Sequence, residues 1–257
     1  MLETIVSIIR QAGALLLSAH AKERDISSKE GKANFVTKYD IAVQQFLQQR
    51  LQEAFPSAAF LGEEGGASQL KKSGDTFIVD PIDGTTNFIT DYRHSSISIG
   101  LARDGQMYAG AVYNPYLDEV FSAKKGEGAF LNGARICCGN RPLCEGTVGF
   151  GTSPYHPDLC DATFDLLKAL YRASLDIRRS GSAALDICYA AAGRTALFFE
   201  MVLEPWDYAA ASIIAAEAGG LCTQLDGSPI TLEKGCSILA GNPAARADFF
   251  ALAAQRA

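Results

Sequence analysis

The spacing of apolar side chains predicts two helices near the start of the chain. Within residues 1–24 apolar positions recur every three or four residues, which is the repeat of an amphipathic helix. Residues 25–32 are polar and predict a loop, and residues 34–37 predict a short strand. Thr37 is typical of an N-cap, so a second amphipathic helix is expected to begin there and to end before Pro56.

The central part of the chain predicts strands. Residues 58–61 and 76–82 are short apolar runs, and Pro81 is expected to break the second of them. From residue 95 to residue 130 apolar and polar positions alternate, and turn signals such as Asp104-Gly105 separate the alternating runs. This pattern predicts an antiparallel meander in the amino-terminal half.

After about residue 140 strand and helix patterns follow one another in turn. Strands are predicted at residues 147–151, 174–177, 195–200 and 237–240, and helices at residues 159–171, 182–192, 205–218 and 243–254. Such alternation is typical of an α/β arrangement. The expected fold class is therefore an α+β and α/β layered sandwich, one compact body with subdomains of about residues 1–136 and 137–257.

The net charge of the chain bears on which kinds of molecule it can bind. The formal net charge is −6, whereas a nucleic-acid groove needs a basic face, so no nucleic-acid partner is expected. An acidic protein can still bind phosphate esters when metal ions reverse the local charge.

The sequence also predicts a cellular compartment. A signal peptide has a basic region before its apolar run, and the first apolar run here has none. No apolar run reaches the ~18 residues that a membrane span needs. The seven cysteines include no CxxC pair, which favours free thiols over disulfides or a zinc site. We therefore expect a cytoplasmic protein without a membrane partner.

Two carboxylates follow the strand predicted at residues 76–82. Asp80 and Asp83 flank its end, and Gly84-Thr85-Thr86 then predicts the start of a short helix. Carboxylates are ligands for hard cations, and the exposed N–H groups of a helix start bind phosphate. The combination predicts metal-assisted phosphate chemistry.

Two further acids stand at the ends of predicted elements. Glu63 follows a strand between glycines, and Asp207 begins a helix after Pro205-Trp206. The alternative is that Glu63 belongs to a solvated turn and that Asp207 only complements the helix dipole. If these acids do bind a metal, an all-oxygen ligand set favours Mg²⁺, Mn²⁺ or Ca²⁺ over zinc.

Seven short motifs along the chain resemble those of a known protein family. They are Phe35-Val-Thr37-x-x-Asp40, Gly62-Glu63-Glu64, Asp80-Pro-Ile-Asp83-Gly84-Thr85-Thr86-Asn87-Phe88, Ala129-Phe-Leu-Asn132-Gly133, Arg179-Ser-Gly181-Ser182-Ala183-Ala184, Trp206-Asp207-x-Ala209-Ala210 and Glu217-Ala-Gly-Gly220. Together they resemble the inositol monophosphatase family of lithium-sensitive, magnesium-dependent phosphatases. The resemblance covers nearly the whole chain and implies a five-layered αβαβα sandwich.

The resemblance also implies a set of metal ligands. Glu63, Asp80 and the carbonyl oxygen of Ile82 match the ligands of a first Mg²⁺. Asp80, Asp83 and Asp207 match those of a second, and a third, weaker ion would bind through Glu63 and water. The implied cofactor is two to three Mg²⁺ ions, with Mn²⁺ as a substitute.

Catalytic and substrate-binding roles follow from the same resemblance. Thr85 and Glu63 match the pair that orients and deprotonates the attacking water, with Asp80 beside them. Gly84 and Thr85 match the phosphate-binding helix start, and Asp40 matches a carboxylate behind the metals. The substrate contacts implied are Asp83, Gly84, Thr85, Gly181, Ser182, Ala183, Glu200 and Asp207.

The substrate is less narrowly defined. Glu200 lies seven residues before Asp207, as in family members that bind sugar-like hydroxyls, which favours myo-inositol 1-phosphate. Leu203 replaces a polar residue of the animal enzymes, so histidinol phosphate and fructose 1,6-bisphosphate stay open, and phosphoadenosine phosphate ranks last.

Two other expectations come from the family. Some bacterial relatives bind transcription machinery, so a regulator is the alternative function. A homodimer is expected, for which the apolar meander of residues 95–123 would supply an interface unless it is simply core.

Overall fold

A computed structural model of the chain describes residues 1–19, 26–28, 35–65 and 70–254. Within these residues the helices are α1 (Leu2–Ala19), α2 (Lys38–Ala54), α3 (Thr85–Ile89), α4 (Cys160–Ala173), α5 (Ala183–Ala191), α6 (Pro205–Glu217) and α7 (Pro243–Ala254). The strands of the amino-terminal half are β1 (Ile26–Ser28), β2 (Phe35–Thr37), β3 (Ala59–Gly62), β4 (Asp75–Asp83), β5 (Ser96–Arg103), β6 (Gln106–Asn114), β7 (Glu119–Lys124), β8 (Gly128–Leu131) and β9 (Ala134–Ile136). Those of the carboxy-terminal half are β10 (Thr147–Phe150), β11 (Asp176–Arg178), β12 (Leu197–Leu203), β13 (Leu221–Thr223) and β14 (Cys236–Gly241).

Strands β3 to β9 form one large sheet in chain order. Strands β3 and β4 are parallel, and each later strand pairs antiparallel with the one before it. The predicted antiparallel meander is confirmed. Exposed and buried residues do not alternate along every strand of the meander. Seven of the eight residues of β5 are buried, because both faces of this strand are covered.

The second sheet is mixed and has the order β11-β10-β12-β14-β13. Strand β10 pairs parallel with both β11 and β12, while β14 pairs antiparallel with β12 and β13. The parallel pairs follow from the connections, because α4 and α5 carry the chain back between strands that point the same way.

Helices fill the spaces around and between the two sheets. Helices α1 and α2 cover one face of the large sheet, where Ile9 and Leu47 pack with Phe77. Helices α5 and α6 lie between the sheets, and Ile78 and Phe198 face them from the two sides. Helices α4 and α7 cover the outer face of the second sheet around other buried side chains, including Leu170, Phe199 and Phe249. The αβαβα sandwich is confirmed, and the division into subdomains at about residue 136 stays a proposal.

Adjacent side chains of one strand enter different layers of this sandwich. Phe77 and Val79 of β4 belong to the layer of α1 and α2, whereas Ile78 faces α5 and α6. Phe198 and Phe199 of β12 are divided in the same way between the inner and outer layers. Because successive strand side chains point to opposite faces, a strand covered on both faces needs a continuous apolar run.

Several predictions about local structure need correction. Residues 25–32 are not all loop, because Ile26–Ser28 forms β1 and pairs antiparallel with β2. Residues 20–24 of the predicted first helix and residue 34 of the predicted strand lie outside the described residues, as does the side chain of Thr37. Strand β12 extends past the predicted end at Glu200 to Leu203, through a register shift against β14.

The apolar meander is core rather than a free interface. Side chains such as Ile97, Ile99 and Val112 are completely buried within the single chain, beneath helices on both faces. The interface predicted at residues 95–123 is therefore wrong, and the alternative that this stretch is core is confirmed. The homodimer itself stays a prediction.

Two other predictions concern the cysteines and membrane-spanning helices. All seven cysteines are free thiols, as expected. None of the helices formed by the described residues is both long enough and apolar enough to span a bilayer.

Helix α6 approaches the large sheet very closely. Gly100 and Gly110 lie side by side on β5 and β6, directly beneath Ala209 and Ala210 of the helix. A Cβ atom at Gly110 would lie 2.6 Å from the carbonyl oxygen of Ala210. The glycines therefore set the height of α6, and with it the position of Asp207 in the first turn of the helix.

We expect Gly110→Ala to destabilise the protein by about 1–3 kcal/mol, because the added methyl group must push α6 away from the sheet. Urea unfolding measures the change. Gln106→Ala, an exposed position on the same strand, is the control and should change the free energy of unfolding by no more than about 0.5 kcal/mol. Equal stabilities of wild type and Gly110→Ala would contradict the close packing.

Candidate active site

A cavity of about 500 Å³ opens where β4 ends and α5 and α6 begin. All but one of the residues that the sequence predicts for the site line it: Glu63, Asp80, Ile82, Asp83, Gly84, Thr85, Gly181, Ser182, Ala183, Glu200 and Asp207. The exception, Asp40, is completely buried and contacts the Thr85 side chain. The chain therefore gathers acids from four separate segments at one place.

Strand β4 delivers two of these acids. The predicted break at Pro81 is wrong. The strand continues to Asp83, with a register shift against β5 between Asp80 and Asp83. Proline is tolerated at such an irregularity because the ladder hydrogen bonds are already interrupted there. The backbone N–H of Ile82 donates instead to Oδ1 of Asp80 at 2.9 Å, which fixes that carboxylate.

Asp83 is held by the start of α5. The backbone N–H groups of Ala183 and Ala184 donate to its two carboxylate oxygens at 3.1 and 3.0 Å. The hydroxyls of Ser96 and Ser182 donate to Oδ2 as well. Burial raises the pKa of Asp83, although these donors act in the opposite direction by stabilising the charged form.

Asp207 lies in the first turn of α6. Its Oδ2 accepts a hydrogen bond of 2.8 Å from the backbone N–H of Glu204, and the Glu204 side chain caps the helix in return. Desolvation and the nearby charges of Glu63 and Asp83 raise the pKa of Asp207 well above its ordinary value. The pKa of Asp80 is raised in the same way, first by burial and then by Glu63, Asp83 and Asp207.

The chemistry of this donor set fits divalent cations. No group of three or more His, Cys, Asp or Glu side chains in the described part of the chain is gathered closely enough to enclose an ion by itself. Mg²⁺ does not need such a cage, because it is held through one or two carboxylates and keeps several of its waters. Mutual repulsion among buried carboxylates is what a bound cation would relieve.

Thr85 lines the cavity on the α2 side, and the buried Asp40 lies behind it. The Thr85 hydroxyl lies 3.1 Å from the carbonyl oxygen of Ile82 and 3.4 Å from Oδ1 of Asp40. Gly84 precedes α3 with a φ of 88°, and a Cβ there would lie 2.8 Å from the carbonyl oxygen of Gly181. Only glycine fits this turn, because it is both left-handed and in contact with the opposite loop.

Asn87 ties α3 to the loops on either side of it. Its side-chain amide donates to the carbonyl oxygens of His94 and Ser180 at 2.7 and 2.8 Å. The helix start therefore keeps a fixed position relative to Gly181 and Ser182 on the facing wall.

Glu200 of β12 also lines the cavity. Its Oε1 accepts a hydrogen bond of 2.7 Å from the backbone N–H of Ser153, a residue with a φ of 41°. Gly151 leaves space for the carboxylate, since a Cβ there would overlap Oε2. Burial raises the pKa of Glu200 to about 7.

Asp186 was missed by the sequence predictions. It lines the cavity from α5, and its Oδ2 accepts a hydrogen bond of 2.6 Å from the Ser180 hydroxyl. Burial raises the pKa of Asp186 to about 8. The available signal was a single acid within the apolar run of residues 183–191, a position where a charged side chain needs a partner.

Other residues of the wall were also not predicted. Tyr155 and Arg179 both line the cavity, Tyr155 near Glu63 and Asp207 and Arg179 near Glu200 and Asp186. The Arg179 guanidinium donates to the Thr152 hydroxyl at 3.2 Å, and its charge favours the ionised forms of Glu200 and Asp186. Arg179 begins the motif Arg179-Ser-Gly181-Ser182-Ala183-Ala184, which was the available signal, whereas nothing in the local sequence separates Tyr155 from an ordinary surface position.

A profile of the inositol monophosphatase family matches residues 1–257. The chain belongs to this family. Inositol monophosphatases are metal-dependent phosphatases that act on small phosphate esters, which agrees with the all-oxygen acid cluster described above.

Individual relatives within the family carry two kinds of name. The chain is 37% identical to the Nus factor SuhB of Pseudomonas aeruginosa, over 94% of this chain and 91% of that protein. It is 36% identical to the inositol-1-monophosphatase of Rhizobium meliloti, over 94% of this chain and 91% of that protein. Among solved structures, the IMPase of Thermotoga maritima matches with a TM-score of 0.89 and 30% identity, over 99% of this chain and 96% of that one.

The raised pKa of Glu200 predicts a dependence of stability on pH. The folded chain keeps the Glu200 proton up to about pH 7, whereas the ordinary glutamate pKa is 4.5, so this group costs stability as the pH rises between these values. In metal-free buffer we expect the free energy of unfolding to fall less steeply with rising pH in Glu200→Gln than in wild type. The two slopes should differ by about 1.4 kcal/mol per pH unit.

Urea unfolding at several pH values between 5 and 7 measures this difference. Glu53→Gln on the exposed face of α2 is the control, and its curve should run parallel to that of wild type. Parallel curves for wild type and Glu200→Gln would contradict the raised pKa.

Proposed function

We propose that this chain hydrolyses phosphate monoesters with Mg²⁺ as cofactor, and that its substrate is myo-inositol 1-phosphate, released as inositol and phosphate. The observation that carries the proposal is the convergence of Glu63, Asp80, Asp83 and Asp207 in one cavity that also contains the start of α3 and the buried Glu200. The acids suit cations, the helix start suits phosphate, and Glu200 suits the hydroxyls of a polyol.

Two to three Mg²⁺ ions, or Mn²⁺ in their place, would be held by Glu63, Asp80, the carbonyl oxygen of Ile82, Asp83 and Asp207. Bound there, the ions supply Lewis-acid charge, which lowers the pKa of water and stabilises the departing ester oxygen. Asp83 already receives four hydrogen bonds from protein groups, so it acts in part by fixing the wall at the start of α5.

The residues around the phosphate would do the positioning. Gly84 and Thr85 would place backbone N–H groups against the non-bridging oxygens of the phosphate. The Thr85 hydroxyl, held near Asp40 and the Ile82 carbonyl, would orient the attacking water, and Glu63 would take its proton. Water would attack in line with the leaving group, so no covalent phosphoenzyme forms.

The leaving group would lie against the wall formed by Gly181, Ser182, Ala183 and Glu200. Ser153 donates to one oxygen of Glu200, which leaves the other oxygen for a substrate hydroxyl. Leu203 also lines this side and offers no side-chain hydrogen bond, so the pocket recognises fewer hydroxyls there than a polar residue would allow.

Phosphate release from myo-inositol 1-phosphate tests the proposal. We expect activity with Mg²⁺ and none after chelation, and we expect Asp80→Asn and Asp207→Asn each to lower kcat/KM by about 10²-fold or more. Asp158→Asn, which changes an exposed acid in the short 3₁₀ helix before α4, is the matched control and should retain wild-type activity.

Unchanged activity in Asp80→Asn and Asp207→Asn would refute the assigned roles. The same assay with histidinol phosphate and fructose 1,6-bisphosphate ranks the alternative substrates that Leu203 keeps open. A higher kcat/KM for either would replace inositol phosphate as substrate without changing the reaction class.

A second candidate function is binding to the transcription machinery. The observation in its favour is that relatives at 36–37% identity are named Nus factor SuhB. If the chain has this function in place of catalysis, we expect purified RNA polymerase to bind wild type and Asp80→Asn equally well. Absence of binding by either protein in a sedimentation assay would exclude it.

Three further properties belong with the proposal. A homodimer, a cytoplasmic location and the absence of a nucleic-acid partner remain predictions from the sequence. The formal net charge of −6 supports the last of them.

A further inference from the structure

Glu63 follows β3, one of the two edge strands of the large sheet as the structure describes it. Among the strands that the structure describes, β3 pairs only with β4, and its side chains are only partly buried. The last backbone hydrogen bond of this pairing joins the N–H of Glu63 to the carbonyl oxygen of Val79 at 3.2 Å. Strand β3 itself ends at Gly62, one residue before Glu63.

A glutamine from α2 takes the place of a neighbouring strand. Gln44 is buried on the inner face of the helix, and its Oε1 accepts a hydrogen bond of 2.8 Å from the backbone N–H of Glu64. Its Nε2 donates to the carbonyl oxygen of the same residue. One side-chain amide therefore satisfies both backbone groups of Glu64, as a paired strand would.

The chain is shaped to accept this contact. A Cβ atom at Gly62 would overlap Oε1 of Gln44, so only glycine lets the backbone pass this close to the amide. The residues on the two sides of Glu63 are thus both fitted to Gln44, one by its lack of a side chain and one by its backbone hydrogen bonds.

The same face of α2 also supports the other side of the cavity. Asp40 precedes Gln44 by one helical turn and lies 3.4 Å from the Thr85 hydroxyl. Helix α2 is itself anchored by Val43, Leu47 and Leu51, which are almost fully buried. One fixed helix therefore contacts both segments that flank the proposed water site.

We propose that Gln44 is a positioning residue, which holds the backbone of residues 62–64 so that the Glu63 carboxylate faces the divalent cation site. This inference rests on the proposed function, because it assigns Glu63 to the cation site. Gln44 is not among the residues that line the cavity, and it acts through the backbone of Glu64.

Mn²⁺ binding provides a direct test, since the electron paramagnetic resonance signal of the free ion reports affinity without any turnover. Gln44→Met keeps the length of the side chain and removes both hydrogen bonds. We expect it to raise the dissociation constant for Mn²⁺ about tenfold. Gln45→Met, at the adjacent exposed position of α2, is the matched control and should bind Mn²⁺ like wild type.

A double-mutant cycle separates positioning from a general loss of structure. If Gln44 acts through Glu63, adding Gln44→Met to Glu63→Gln should cause little further loss of Mn²⁺ affinity. Losses that multiply in the double mutant would overturn the proposal, as would an unchanged affinity in Gln44→Met.

A second variant covers the case in which Gln44→Met does not fold. Gln44→Glu keeps an acceptor for the Glu64 N–H and loses the donor to the Glu64 carbonyl. We expect it to lower Mn²⁺ affinity about tenfold. In the Glu63→Gln background we again expect little further loss. A loss that persists in that background would count against the proposal.

The outcomes distinguish this inference from the proposed function. If Mn²⁺ affinity depends on Gln44 and no phosphate ester is hydrolysed, the proposed function fails and the positioning role stands. If the esters are hydrolysed and Gln44→Met binds Mn²⁺ like wild type, only the positioning role fails.

Discussion

Repulsion among buried carboxylates is the constraint on which this structure depends. Asp80 and Asp207 are buried beside Glu63 and Asp83, and burial first and the neighbouring charges second raise the pKa of both. Such a cluster is stable only when other charges or donors offset it. The protein offsets part of it at Asp83, where the start of α5 and two serine hydroxyls surround the carboxylate. The remaining negative charge is what makes the cavity suitable for divalent cations.

The layered fold brings these groups together by fixing element ends. Asp83 ends a strand in the large sheet, and Asp207 begins a helix enclosed between the two sheets. Because Gly100 and Gly110 let that helix lie directly on the sheet, its first turn reaches the end of β4. Packing outside the cavity therefore sets the distances within it. Helix α2 contributes from the opposite face of the sheet through Asp40 and Gln44.

The sequence allowed prediction of features that depend on neighbours along the chain. The meander, the long helices and the acids at element ends all have local patterns, and the family motifs connected the separate acids. Strand β1 was missed because three residues gain their extended form from pairing with β2 rather than from their own pattern. Gln44 and Asp186 were missed for a related reason: glutamine and aspartate are common on helices, and only the fold shows that these two are buried against partners.

The contact between Gly151 and Glu200 links two positions that are far apart in the sequence. The carboxylate occupies the volume that any side chain at position 151 would need. We therefore expect these two positions to vary together among relatives. A relative with a larger residue at the first must hold a different residue, or a different rotamer, at the second. The range of leaving groups that such proteins accept would then change by paired substitutions rather than by single ones.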